Sequence, residues 1–208
     1  DAAGAAPLPN GSNGVSIHDG ASYNVIGGDT PAEGNLISAN GPGCYYCRGV
    51  RIYQAHHNTV QGNTIGTDRT GSADLGNGGD GINIEDGTYN VVVDNLISGN
   101  DMNGVSLGWV MWGEATAHNA IWGNRIGTDA SGTSAVPNAN RGVQICRGSH
   151  NRVGGTESGQ GNLISGNSEG GVGVCGHHNT VVGNTIGTNG SGRPLPNGDT
   201  GVTIDDGG

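Results

Sequence analysis

Apolar residues along this chain come in short alternating pairs, and the pairs recur in phase. Gly-apolar-x-apolar segments begin at Gly14, Gly49, Gly81, Gly104, Gly142, Gly171 and Gly201. An Asn-x-Val/Ile segment follows six of them, at Asn24, Asn58, Asn90, Asn119, Asn151 and Asn179. An Asn-x-Ile segment then closes the turn at Asn35, Asn63, Asn95, Asn124, Asn162 and Asn184. Period-2 alternation marks extended chain with one apolar side. No segment is long enough to make a sheet by itself. Stacked on its equivalents from other turns, each becomes one rung of a parallel sheet around a continuous interior. The pattern therefore predicts an all-β, three-sheet parallel β-helix of about seven turns with no capping helix. Its expected interior is Val15, Ile17, Ile26, Ile37, Ile52, Ile65, Ile84, Ile97, Ile126, Ile145, Ile164, Val174, Ile186 and Ile204.

The polar positions support the same winding. Two six-membered columns of asparagine stand in phase, and stacked amides hydrogen-bond from rung to rung as in cross-β ladders. Immediately before the first column come Tyr23, His57, Tyr89, His118, His150 and His178, six rings placed to stack at a bend. Parallel histidines do not converge as metal ligands must, so no metal site is expected from them. The real repeat is a pair of turns, spanning 67, 61 and 59 residues between Gly14, Gly81, Gly142 and Gly201. The differences are insertions, which map to outer loops. Gly27–Gly34 and Gly154–Gly161 are equivalent polar excursions, absent at Asp94.

These motifs resemble those of right-handed parallel β-helix repeat proteins of the pectate-lyase-like superfamily, above all large secreted bacterial ones. The resemblance rests on Ile65-Gly66-Thr67-Asp68, Leu75-Gly76-Asn77, Gly81-Ile82-Asn83-Ile84 and Asn95-Leu96-Ile97-Ser98-Gly99-Asn100, and covers nearly all 208 residues. With the rule for parallel crossovers, it implies a right-handed winding. It does not fix an activity, because that superfamily includes lyases, glycosidases, epimerases, tailspikes, adhesins and stalks.

Composition narrows the classes. The chain has 44 glycines, a net charge of −10, and eight arginines as its whole complement of basic Lys/Arg residues. Such a balance argues against nucleic acid, whose phosphates need a basic stripe, and suits an extracellular or cell-surface location; bacterial-type secretion is what the resemblance implies. No apolar run is long enough to span a membrane as a helix. Cys44 and Cys47 sit in a tight loop, while Cys146 and Cys175 occupy the same position of adjacent first-sheet rungs. Two disulfides, Cys44–Cys47 and Cys146–Cys175, are expected in an oxidising compartment.

Candidate chemistry is sparse. The outward column of the first sheet reads Ser16, Arg51, Asn83, Ser106, Gln144, Gly173 and Thr203. Asp19, Glu85, Asp86, Asp205 and Asp206 lie just beyond it, on alternate turns, without partners on the turns between, and Arg51 and Arg147 are three turns apart. No catalytic residue is assigned, and the reading leans away from an enzyme. Trp109 and Trp112, on an insertion, and Tyr45 and Tyr46, on the Cys44–Cys47 loop, are candidate glycan or partner contacts. Calcium is the one conceivable cofactor, in the oxygen-rich loops Asp68–Asp80 and Asp129–Asn140. The pattern begins and stops in mid-repeat, so residues 1–208 are expected to form one β-helix domain of a longer chain or an end-to-end stack. A non-catalytic module of an extracellular fibre, stalk or adhesin follows, self-associating end to end, with a glycan or cell-surface polysaccharide as its other candidate partner. The alternative is a carbohydrate-binding or polysaccharide-degrading lyase or glycosidase.

Overall fold

A computed structural model describes residues 3–108 and 116–205 of the chain. Each turn contributes three strands. The first has β1 (Val15–His18), β2 (Val25–Gly27) and β3 (Leu36–Ile37); the second β4 (Val50–Tyr53), β5 (Thr59–Gln61) and β6 (Thr64–Ile65). The third has β7 (Ile82–Glu85), β8 (Val91–Val93) and β9 (Leu96–Ile97); the fourth β10 (Val105–Leu107), β11 (Ala120–Trp122) and β12 (Arg125–Ile126). The fifth and sixth comprise β13 (Val143–Cys146), β14 (Arg152–Gly154), β15 (Leu163–Ile164), β16 (Val172–Cys175), β17 (Thr180–Val182) and β18 (Thr185–Ile186), and β19 (Val202–Ile204) adds a last rung. Every third strand pairs in parallel with its equivalent, giving sheets of seven, six and six strands. Six full turns and one extra rung are present, and no helix occurs among the described residues.

The register follows the apolar phase. Ile52, Ile84, Leu107 and Ile145 align on successive rungs of the first sheet and are fully buried. Val60, Val92, Ile121 and Val153 do the same in the second sheet, and Ile65, Ile97, Ile126 and Ile164 in the third. Ile204 departs from the expected interior, being 74% exposed. It sits on β19, which has a neighbour on one side only.

Both predicted asparagine columns form, and every amide points the same way. Asn24 donates Nδ2–H to Asn58 Oδ1 at 2.8 Å, Asn58 to Asn90 at 3.2 Å, and Asn90 to Asn119 at 3.1 Å. Asn119 continues to Asn151 and Asn151 to Asn179. Asn35, Asn63, Asn95, Asn124, Asn162 and Asn184 form the second column at 2.8–3.0 Å. A third, missed in the sequence, links Asn10, Asn40, Asn77, Asn100, Asn138, Asn167 and Asn197 at 2.7–2.9 Å.

The ring column also forms, with centroids 4.9–5.1 Å apart. Each of its six residues has φ between 56° and 60°, a left-handed backbone that costs a non-glycine residue about 1–2 kcal/mol. Ring pairing returns about 0.5–1.5 kcal/mol per contact, so stacking roughly offsets the strain of the bend.

Candidate functional site

The outer face of the first sheet holds the charges that the sequence placed there, but mostly in pairs. Arg51 Nη2 lies 3.1 Å from Glu85 Oε2, and Arg48 Nη2 3.5 Å from Glu85 Oε1. Arg48 Nε is 4.0 Å from Asp80 Oδ2, and Asn103 donates Nδ2–H to Asp80 Oδ1 at 2.9 Å. The Arg51 guanidinium also covers the Tyr53 ring, 4.6 Å from its centroid. Burial pushes the Asp80 carboxyl above the ordinary range, outweighing Asn103 and Arg48, which lower it. Glu85 and Asp80 are 5% and 3% exposed. Asn83 and Ser106, fully buried between them and Gln144, have side-chain polar atoms that find no partner among the described residues. A buried ion network of this kind holds its own charges in place and offers little to solvent.

The other predicted acids do not converge. Asp19 accepts from His18 Nδ1 at 2.7 Å, and Asp86 N–H donates to Thr116 Oγ1 at 2.9 Å. Asp205 N–H donates to the Val174 carbonyl. Asp206, Trp109 and Trp112 lie outside the described residues. The Trp-bearing insertion leaves after Gly108, at the end of β10, and returns at Thr116. Tyr45 and Tyr46 are 55% and 66% exposed and meet edge to face at 5.5 Å.

The cysteines divide. Cys44 and Cys47 form the expected disulfide. Cys146 and Cys175 are in register on β13 and β16 but are free thiols, with sulfurs 3.6 Å apart. This corrects the second expected bridge. The strand spacing of ~4.8 Å lies within the Cα separation that a disulfide takes; the difference is in the side chains, whose sulfurs stand 3.6 Å apart, well beyond a bond of about 2.05 Å. Arg147 N–H donates to the Cys175 carbonyl at 2.8 Å, continuing the ladder past the pair.

In the candidate calcium loops, the carboxylates face their own backbone. Asp68 Oδ1 accepts from Ser72 and Ala73 N–H, and Asp129 Oδ1 from Thr133 and Ser134 N–H. Burial raises both acids, but these hydrogen bonds prevail and hold both below the ordinary range. Among the described residues, no group of three or more His, Cys, Asp or Glu is placed to hold a metal ion.

A different site lies along the outer face of the third sheet. Its outward positions are Leu36, Thr64, Leu96, Arg125, Leu163 and Thr185. On alternate turns a loop folds over the leucine. Gly71 and Gly132, at φ +70° and +72°, lie so close that a Cβ would stand 2.6 Å from Leu96 Cδ2 and 2.8 Å from Leu163 Cδ2. Successive loops touch, Ala130 N–H donating to Gly71 O at 3.0 Å and Gly190 N–H to Gly132 O at 2.9 Å. They form one wall. The opposite corner carries the polar excursions only on the first and fifth turns, and turns directly at Asp94.

The result is an open polar groove of about 800 Å³, lined by Asp94, Arg125, Ser131, Thr133, Thr188 and Asn189 among others. The Asp94 N–H donates to the Trp122 carbonyl at 3.3 Å, which fixes the acid beside β11. Burial raises the Asp94 carboxyl above the ordinary range, with Arg125 opposing. Among the described residues, neither the Asp94 carboxylate nor the Arg125 guanidinium makes a hydrogen bond or a direct ion pair. Sequence reasoning noted Asp94 only as the place where an excursion is missing. Arg125 had a readable signal, as the one charge in a column of leucine and threonine.

No family model and no curated protein matches the chain. A solved structure does: a point mutant of a periplasmic alginate epimerase, at a TM-score of 0.59 and 14% identity, over 93% of this chain and 45% of that one. At that identity the likeness establishes the fold alone, a right-handed parallel β-helix. The chain spans less than half the length of that enzyme. The lean away from an enzyme is corrected here, since the fold that the chain shares over nearly its whole length is one on which a catalytic protein is built.

Proposed function

We propose that the protein is a carbohydrate-active β-helix that engages a uronate-containing polysaccharide in the groove over the third sheet. One observation carries this reading: a carboxylate and a guanidinium, Asp94 and Arg125, stand unpaired in the same polar groove. Sugars present many hydroxyls and little apolar surface, and the hydroxyl and amide groups of Ser131, Thr133, Thr188 and Asn189 suit them. Arg125 supplies a planar, permanently charged donor for a sugar carboxylate. Asp94, its acidity weakened by burial, is suited to take a proton from the carbon next to that carboxylate, while Arg125 stabilises the charge that develops. The net charge of −10 does not forbid a polyanion, because exposed charges are screened beyond about 8 Å at physiological salt. The fold neighbour acts on alginate, and its periplasmic setting, with the Cys44–Cys47 disulfide, supports an exported location.

The test is calorimetric binding of alginate and polygalacturonate fragments, together with solvent deuterium uptake into the sugar. Arg125→Gln is expected to weaken binding about 10- to 100-fold, the range for a lost charged hydrogen bond. Asp94→Asn is expected to retain binding and lose exchange. Binding indifferent to both substitutions, or no binding at all, overturns the proposal.

A further inference from the structure

The two free thiols have no part in the groove, and their spacing has a use that a disulfide does not explain. We infer that Cys146 and Cys175 form a two-thiolate site for a thiophilic divalent ion of the zinc type. Zinc–thiolate bonds of ~2.3 Å in a tetrahedron put neighbouring sulfurs about 3.8 Å apart, and these two stand at 3.6 Å. The in-register pairing of β13 with β16 sets that distance before any ion arrives. Gln144 adds a second, independent feature. Its Nε2 lies 3.1 Å from Cys146 Sγ and 3.2 Å from Cys175 Sγ, while its Oε1 accepts from Arg141 Nη1 at 2.8 Å. Arg141 thus turns the amide so that its N–H side faces both sulfurs, where it donates to the thiolates once an ion is bound.

Both cysteines are partly exposed, so an ion can enter from solvent and complete its four-coordinate shell with water. Binding replaces two S–H bonds by two metal–sulfur bonds and releases two protons. The ion competes with protons for both sulfurs, so uptake strengthens as pH rises.

Cadmium titration of the isolated, unreduced protein tests this, because cadmium thiolates absorb in the ultraviolet by charge transfer. The expected signal saturates at one ion per chain, is lost in Cys146→Ser and in Cys175→Ser, and persists when Cys44 and Cys47 are both replaced by serine. Gln144→Ala is expected to weaken uptake about tenfold, the loss of one hydrogen bond to a charged group. Two outcomes overturn the inference: a chain mass showing a second disulfide in the isolated protein, or free thiols by quantification with no cadmium signal. Neither depends on whether the groove binds a polysaccharide.

Discussion

Arginine stands near carboxylate in two parts of this solenoid, and the two parts differ in what the charges are doing. On the first sheet, Arg48 and Arg51 each meet one carboxylate oxygen of Glu85 and Asp80 lies beside Arg48, all but Arg51 nearly out of solvent. Their charges answer one another. Over the third sheet, Arg125 and Asp94 share a groove without direct contact, and Arg125 only opposes the rise that burial gives the Asp94 carboxyl. The first arrangement fixes a surface, and the second leaves hydrogen-bonding capacity for a ligand. Proximity of opposite charges therefore does not mark a site, whereas charge left unpaired in an open groove does.

The largest effect that could break this comparison is the removal of Glu85. Glu85→Ala leaves two arginines without their shared partner in a buried setting, and a cost of about 3–5 kcal/mol is expected, measured by denaturant unfolding. A cost below about 1 kcal/mol would show that the network behaves like an exposed pair. By contrast, Asp94→Asn and Arg125→Gln should each shift stability by no more than about 0.5 kcal/mol, whatever they do to ligand binding. A large loss of stability there would make the groove a structural pair after all.

The smallest effect concerns pH. Asp80 has its folded pKa raised above its unfolded value, near 3.8. Its contribution to stability is therefore full below that value and declines as pH rises through the folded pKa. The stability difference between wild type and Asp80→Asn should fall from pH 4 upward. Asp68 and Asp129, lowered by their loops, act in the opposite direction and cancel from the difference. A difference that stays flat or grows would mean that Asp80 remains ionised throughout.

The rungs were legible because a two-residue alternation repeated on every turn leaves only one way to bury the apolar side. The two predicted asparagine columns were legible for the same reason, each lying at a fixed distance from a strand. The third column was not, since Asn10, Asn40, Asn77, Asn100, Asn138, Asn167 and Asn197 belong to loops of unequal length. Cys146 and Cys175 could be placed side by side from sequence, but a bridge and a pair of thiols differ only in how the two side chains turn on the same strand spacing, which no pattern encodes. Asp94 and Arg125 come from different turns and different corners. Their convergence depends on which loops are present on neighbouring turns, and that is a property of the stacked object.

The asparagine columns have an electrical consequence. In all three, each amide N–H₂ points toward the next turn and each carbonyl toward the previous one. Side-chain dipoles so aligned reinforce and polarise one another, much as peptide dipoles sum along an α-helix. A strand sheet has almost no net moment of its own, but this solenoid has three parallel filaments of oriented amides running its length. The molecule is thus a vector as well as a rod, with a field along its axis that is independent of its ionised groups and unaltered by titrating them.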